Sequence, residues 1–321
     1  MTLTAEQATW FHETFDRLAD NVERAVLGKR HVVELVLTAM LSGGHVLLED
    51  VPGTGKTSLA RALAQSVEGT HSRIQFTPDL LPGDITGITV YDQKSGDFAF
   101  HAGPVFATIV LADEINRASP KTQSALLEVM EEHRVTVDGV SRPVGEPFLV
   151  VATQNPVEQA GTYRLPEAQL DRFLLRTALG YPDHAATVRI LDGAAVGTEL
   201  LAPVIAARAL VGMQELAAQV YVDALVLDYV ARLVDATRTA DQVRLGVSIR
   251  GALALTHATR TRAASQGRTY ATPDDVRALA VAVLAHRLIL HPEADFDGVT
   301  PEAVIGQVLL DVPPPTQREA P

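Results

Sequence analysis

The 321-residue chain contains no cysteine. That absence excludes disulfides, thiolate zinc sites, iron–sulfur clusters and cysteine nucleophiles, and it suits a reducing compartment. Long apolar runs are missing as well. Nowhere do 18 apolar residues follow one another, and residues 1–20 mix charges with apolar residues where a secretory leader would run from basic to apolar. The expectation is a cytoplasmic protein with no direct membrane insertion. Basic charge is scarce: 27 Lys and Arg stand against 39 Asp and Glu, a net charge of -12. Such a field repels phosphate backbones and anionic lipid, so nucleic acid is a disfavoured partner. The ten histidines show no metal-ligand spacing, there is no His-Glu-x-x-His, and no serine sits in a nucleophile elbow.

What is present is the balance of a folded protein, 47% hydrophobic and 21% charged residues, in a chain long enough for about two domains. Up to about Leu179, short β-like runs at 45–50, 73–77, 108–113, 148–153 and 173–179 alternate with helical stretches. That alternation predicts a five-stranded parallel sheet with helices on both faces. Ser119 and Pro120 punctuate one helix start, with Leu126, Leu127 and Met130 on its apolar face. Two β-hairpins interrupt the pattern, one at 88–101 and one at 134–144 about the pair Asp138-Gly139. Beyond Pro182 the strand signal fades into helices at 203–220, 223–236, 248–265 and 273–288, the last opened by Thr272-Pro273-Asp274-Asp275. The expected organisation is an α/β domain over 1–182, an all-helical domain over 183–314 and a mobile tail over 315–321.

The chemistry begins at Pro52, Gly53, Thr54, Gly55, Lys56, Thr57 and Ser58, which follow an apolar strand and open a helix. This is the context of a phosphate loop. Glycines let backbone N–H groups surround the phosphates, Lys56 reaches the β- and γ-oxygens of ATP, and the Thr57 hydroxyl is a ligand for Mg²⁺. Asp50 stands where such loops usually have their first glycine. A later apolar strand delivers Asp113 and Glu114 to its C-terminal end, where open α/β sheets bind ligands. Asp113 suits Mg²⁺ held through water, and Glu114 suits a general base for the attacking water. Asn155, at the end of another strand, offers a neutral amide that orients that water or feels the γ-phosphate.

These motifs in this order, together with Ile115-Asn116-Arg117-Ala118, Lys121–Glu128 in its run Lys-Thr-Gln-Ser-Ala-Leu-Leu-Glu, and Leu165-Pro166-Glu167-Ala168-Gln169-Leu170-Asp171-Arg172-Phe173, resemble the MoxR family of AAA+ ATPases over nearly the whole chain. The resemblance implies Walker A at Lys56 and Thr57, Walker B at Asp113 and Glu114, sensor 1 at Asn155 and an arginine finger at Arg172, with Arg164 as the fallback. It implies sensor 2 at Arg250, where Ile249 replaces the family's frequent proline, and an adenine-packing segment containing Val26 and Gly28. It also makes 88–101 the helix-2 insert and 134–144 the pre-sensor-1 hairpin. A chaperone-like ATPase follows, acting as a homo-oligomeric, hexameric ring on protein clients, with a von Willebrand factor A domain protein as the partner that family habit suggests. A DNA translocase or helicase remains open, because related rings carry the same hairpins with basic tips; here the first hairpin has one lysine, Lys94, beside Asp92 and Asp97. A nucleotide-gated scaffold with little hydrolysis is the third alternative, and Glu114 argues against it.

Overall fold

Strands that are buried on both faces must be apolar throughout, and three runs of this chain meet that demand: Val46–Glu49, Ile109–Asp113 and Leu149–Gln154, whose residues are almost all buried. In the computed structural model, which describes residues 2–51, 53–94, 96–155, 163, 165–194 and 197–315, these are β1, β5 and β8. The full set in chain order is β1 (Val46–Glu49), β2 (His71–Gln75), β3 (Gly87–Asp92), β4 (Asp97–Ala102), β5 (Ile109–Asp113), β6 (Arg134–Val137), β7 (Val140–Pro143), β8 (Leu149–Gln154), β9 (Leu175–Thr177), β10 (Val243–Leu245) and β11 (Ile289–Leu290). The helices are α1 (Ala5–Glu23), α2 (Arg30–Leu41), α3 (Lys56–Ser66), α4 (Pro82–Thr86), α5 (Pro120–Glu132), α6 (Glu167–Leu170), α7 (His184–Leu191), α8 (Ala207–Ala218), α9 (Ala224–Thr239), α10 (Ile249–Ser265), α11 (Pro273–Leu284), α12 (Pro292–Phe296) and α13 (Pro301–Asp311).

Five strands form one sheet in the order β2-β5-β8-β1-β9. The pairs β2–β5, β5–β8 and β8–β1 are parallel, with Gln75 opposite Asp113, Ala112 opposite Ala152 and Glu49 opposite Gln154. Parallel pairing brings the C-terminal ends of these strands to one edge. On one face, Leu47, Val110, Ala112, Val150 and Ala152 pack with Leu126, Leu127 and Met130 of α5. Each buried Val, Leu or Met among them contributes about 1.5–3 kcal/mol of transfer free energy. Ser119 caps α5 as the sequence predicts, its hydroxyl accepting the Thr122 N–H. Both expected hairpins are present, β3–β4 and β6–β7, and the second turns on Asp138 and Gly139 with φ of +52° and +75°, the mirror-image turn that matches strand twist.

By contacts the chain divides into two compact units: Arg17–Phe173 with Thr177–Gly212, and Met1–Asp16 with Leu174–Arg176 and Met213–Pro321. The second unit is helical, with Tyr229, Leu233, Leu255, Ala258, Val276, Leu279, Val283 and Ile305 buried. Its α11 opens as predicted, Thr272 donating its N–H and hydroxyl to the Asp275 carboxylate. This unit also holds elements that the sequence reading did not foresee: the short antiparallel ribbon β10–β11, α12 and α13. Of the expected tail at 315–321, all but Pro315 lies outside the described residues. Among the described residues no helix is long and apolar enough to cross a membrane.

One buried side chain makes the α/β unit sensitive to acid. His45, just before β1, accepts the Val150 N–H on Nδ1 at 3.0 Å, so Nε2 carries the proton and donates to the Met130 carbonyl at 3.0 Å. Burial pushes its pKa down to about 4; His133 acts in the same direction, and the bond to Met130 opposes it. An unfolded histidine titrates near 6.5. Above that value both states are neutral and the stabilisation is complete. As pH falls from about 6.5 to about 4, only the unfolded chain takes up the proton, which removes about 3 kcal/mol. Urea unfolding at pH 7 and pH 5 should therefore show a fall of about 2 kcal/mol that His45→Gln lacks. Equal losses in both proteins would contradict this.

Candidate functional site

The sheet continues one residue beyond β1, the Asp50 N–H donating to the Gln154 carbonyl at 3.0 Å, and the chain then loops into α3. Gly53 and Gly55 take φ of +82° and +98°, where a side chain is strained. No heavy atom lies within 4 Å of the place a Cβ would occupy at either. Glycine is thus required by backbone conformation, the conformation with which phosphate-binding loops turn their N–H groups to one side. Lys56 is the first residue of α3, and its Nζ donates to the carbonyls of Asp50 and Val51 at 3.3 and 3.1 Å. The ammonium is folded back over the start of the loop. Thr57 and Ser58 follow in the first helical turn and are half-buried, while Thr54 is buried. Pro52 lies outside the described residues.

Two strands away, β5 delivers the acids. Asp113 is buried; its Oδ1 accepts the Thr153 hydroxyl at 2.7 Å and its Oδ2 meets Arg73 Nη2 at 2.5 Å. The backbone then turns sharply, because Glu114 adopts φ +58°, a left-handed conformation that costs a non-glycine residue of order 1 kcal/mol and clusters at functional sites. Its N–H donates to the Thr153 hydroxyl at 2.9 Å. Its Oε2 accepts from Gln75 at 3.0 Å and from Arg117 at 2.9 Å. The hydroxyl of Thr57 and the carboxylate of Asp113 are hard oxygen donors. Among the described residues no three His, Asp or Glu gather into a metal cage. A cation that keeps its waters and needs only one or two protein oxygens plus phosphates, Mg²⁺, fits such a donor set.

Asn155 follows β8, the strand between β1 and β5, and is buried. The loop, the acid pair and Asn155 therefore meet at one edge of the sheet. Arg172 does not join them. It sits between α6 and β9 and pairs with Glu131 near the end of α5 at 3.0 Å; from α5 the chain returns through the β6–β7 hairpin to the start of β8, the side opposite the acids. Arg164 lies outside the described residues. Arg250 belongs to the helical unit, exposed in the first turn of α10, which Ser248 caps by accepting the Gly251 N–H at 3.1 Å. Val26 is buried, and Gly28 approaches α7 so closely that a Cβ would lie 3.0 Å from that of Ala186. Sequence reasoning missed the groups that grip the acids: Arg73, Gln75 and Thr153. Their signal was the alternation of polar Arg73 and Gln75 about Ile74 on a strand beside β5.

A glycine loop leading from a parallel strand into a helix, with an acid pair two strands away and a helical unit downstream, defines a P-loop protein of the AAA+ class. The comparisons agree. Residues 45–175 match the model of an ATPase family associated with various cellular activities, and residues 235–308 match an AAA lid domain. The chain is 48% identical over 311 residues to the Bacillus subtilis protein YeaC, covering 96% of this chain and 97% of that one. It is 44% identical over 317 residues to chaperone MoxR1 of Mycobacterium tuberculosis, covering 96% and 84%. The crystal structure of a Cytophaga hutchinsonii protein assigned as an ATPase superposes with a TM-score of 0.89 at 35% identity, over 97% of this chain and 98% of that chain. The chain belongs to the MoxR family of AAA+ ATPases.

Proposed function

We infer that the protein is a chaperone-like ATPase that forms a hexameric ring in the cytoplasm, hydrolyses ATP at subunit boundaries, and uses the resulting movement to remodel, assemble or activate partner proteins. The observation that carries this reading is the meeting of the loop at 50–58, the acid pair Asp113-Glu114 and Asn155 at one sheet edge. In it, Lys56 holds the β- and γ-phosphate oxygens, the loop from Pro52 to Ser58 cradles the phosphates, and Val26 and Gly28 pack on adenine. Thr57 and Asp113 would hold Mg²⁺. Bound there, Mg²⁺ supplies positive charge against the phosphate oxygens. Glu114 takes the proton of the attacking water, and Asn155 orients that water. Arg172 reaches a neighbour's γ-phosphate, and Arg250 acts as sensor 2, responding to the γ-phosphate.

The first hairpin supports protein clients over nucleic acid. Ile88, Val90, Tyr91 and Phe98 are exposed on it, Tyr91 and Phe98 packing edge to face at 5.3 Å. Arg142 of β7 lies 4.0 Å over the Phe100 ring of β4 and joins the two hairpins. An apolar, aromatic ribbon with Asp92 and Asp97 at its tip suits a protein surface and repels a phosphate backbone. A von Willebrand factor A domain protein is the partner this reading favours. Lys56→Ala tests its base. It removes the ammonium that this reading places on the β- and γ-phosphate oxygens and is expected to abolish calorimetric binding of a slowly hydrolysed ATP analogue; unchanged affinity would remove the phosphate-loop assignment.

A further inference from the structure

Asp50 is an odd residue for the head of a loop that grips a polyanion. A carboxylate there repels phosphate, and the position usually belongs to glycine. The structure gives it a different task. The side chain is buried, and its two oxygens accept three backbone N–H groups: Oδ1 takes Val51 at 3.0 Å, while Oδ2 takes Leu179 at 2.8 Å and Gly180 at 3.0 Å. Leu179 and Gly180 begin the turn that leads into α7. That turn is held a second time, by Lys29 Nζ donating to the Tyr181 carbonyl at 2.7 Å. Asp183 then caps α7, its Oδ1 accepting the Ala186 N–H at 2.7 Å, and Ala186 is the residue pressed against Gly28. The phosphate loop, the turn at 179–183, the start of α7 and the segment at 26–29 are thereby tied into one closed set of contacts, with Asp50 as the link on the phosphate side.

We propose that Asp50 is a positioning residue that fixes the spacing between the phosphate loop and the wall formed by residues 26–28 and 179–186, so that the triphosphate and the base of one nucleotide are gripped together. The inference rests on the reading of residues 50–58 as a phosphate loop. Two effects of the side chain oppose each other. Its charge weakens phosphate binding, and two of its three hydrogen bonds, those from Leu179 and Gly180, hold the wall where the base is received. A hydrogen bond to a charged group is strong enough that its loss is felt as about tenfold or more in affinity.

The test separates them by using a ligand without a base. Affinities of wild type, Asp50→Asn and Lys29→Met are measured for a slowly hydrolysed ATP analogue and for inorganic tripolyphosphate, both with Mg²⁺, alongside thermal unfolding. Asp50→Asn is expected to bind tripolyphosphate as well as wild type or better, while its affinity for the ATP analogue falls about tenfold or more. Lys29→Met, which leaves the loop intact and removes an exposed contact, should shift the ratio in the same direction by less, and it carries the test if Asp50→Asn does not fold. Equal changes for both ligands, or a gain for both, overturn the proposal and leave Asp50 as a local loop residue. A wild-type protein that binds neither ligand overturns the phosphate-loop reading itself.

Discussion

Arg172→Ala is expected to slow ATP turnover about 10³–10⁵-fold, the range by which a guanidinium on the γ-phosphate accelerates phosphoryl transfer. Affinity for ATP should hardly change, because the charge it stabilises develops in the transition state. The position explains why the loss falls on turnover. Arg172 is anchored by α6 and by Glu131, on the side of the sheet opposite Asp113 and Glu114, so its proposed target is a neighbouring subunit's phosphate. A purely structural arginine predicts otherwise. The Arg172–Glu131 pair is partly exposed, and such pairs contribute about 0–1 kcal/mol to stability. Steady-state turnover with a thermal melt of the same preparation separates the cases: a large loss of rate beside a small shift in midpoint supports the finger, and an unchanged rate removes it.

Glu114→Gln is expected to cost about 10²–10⁴ in turnover with binding retained. The amide keeps the shape of the carboxylate and the backbone bond to Thr153 but cannot take a proton. Glu114 sits among partners that act on it in the resting arrangement, Gln75 at 3.0 Å and Arg117 at 2.9 Å. The left-handed backbone at φ +58° directs the side chain from the end of the buried strand toward both. Single-turnover hydrolysis and calorimetry read the two effects apart. Wild-type turnover in the variant would take the base role from Glu114, and lost affinity would make it a binding residue.

The site's local part was legible and its long-range part was not. Lys56 and Thr57 announce themselves because two glycines, Gly53 and Gly55, and a helix start lie in one short window, and Asp113 because the apolar run before it must be a doubly buried strand. The partners that set the site's geometry come from far along the chain. Arg73 reaches Asp113 across 40 positions and Asp50 reaches Leu179 across 129, and no periodicity encodes such pairings. In the fold, the strand expected at 73–77 forms at His71–Gln75 as β2, because it lies at the edge of the sheet, where burial is mixed and the apolar signal is weaker. The helix α13 carries the same start signature as α11, Thr300-Pro301-Glu302 beside Thr272-Pro273-Asp274, so the chemistry that marks one helix start in the sequence marks the other. The ribbon β10–β11 joins three residues to two, too short for an alternating pattern to register.

In the proposed function, ATP is hydrolysed at a site that two subunits complete. Mixing Arg172→Ala subunits with Lys56→Ala subunits, each inactive alone, and following phosphate release across mixing ratios tests this. Some boundaries then pair an intact phosphate loop with an intact arginine, so activity is predicted to return and to peak at an intermediate ratio. Two variants that each assemble, yet stay inactive at every ratio, would contradict it.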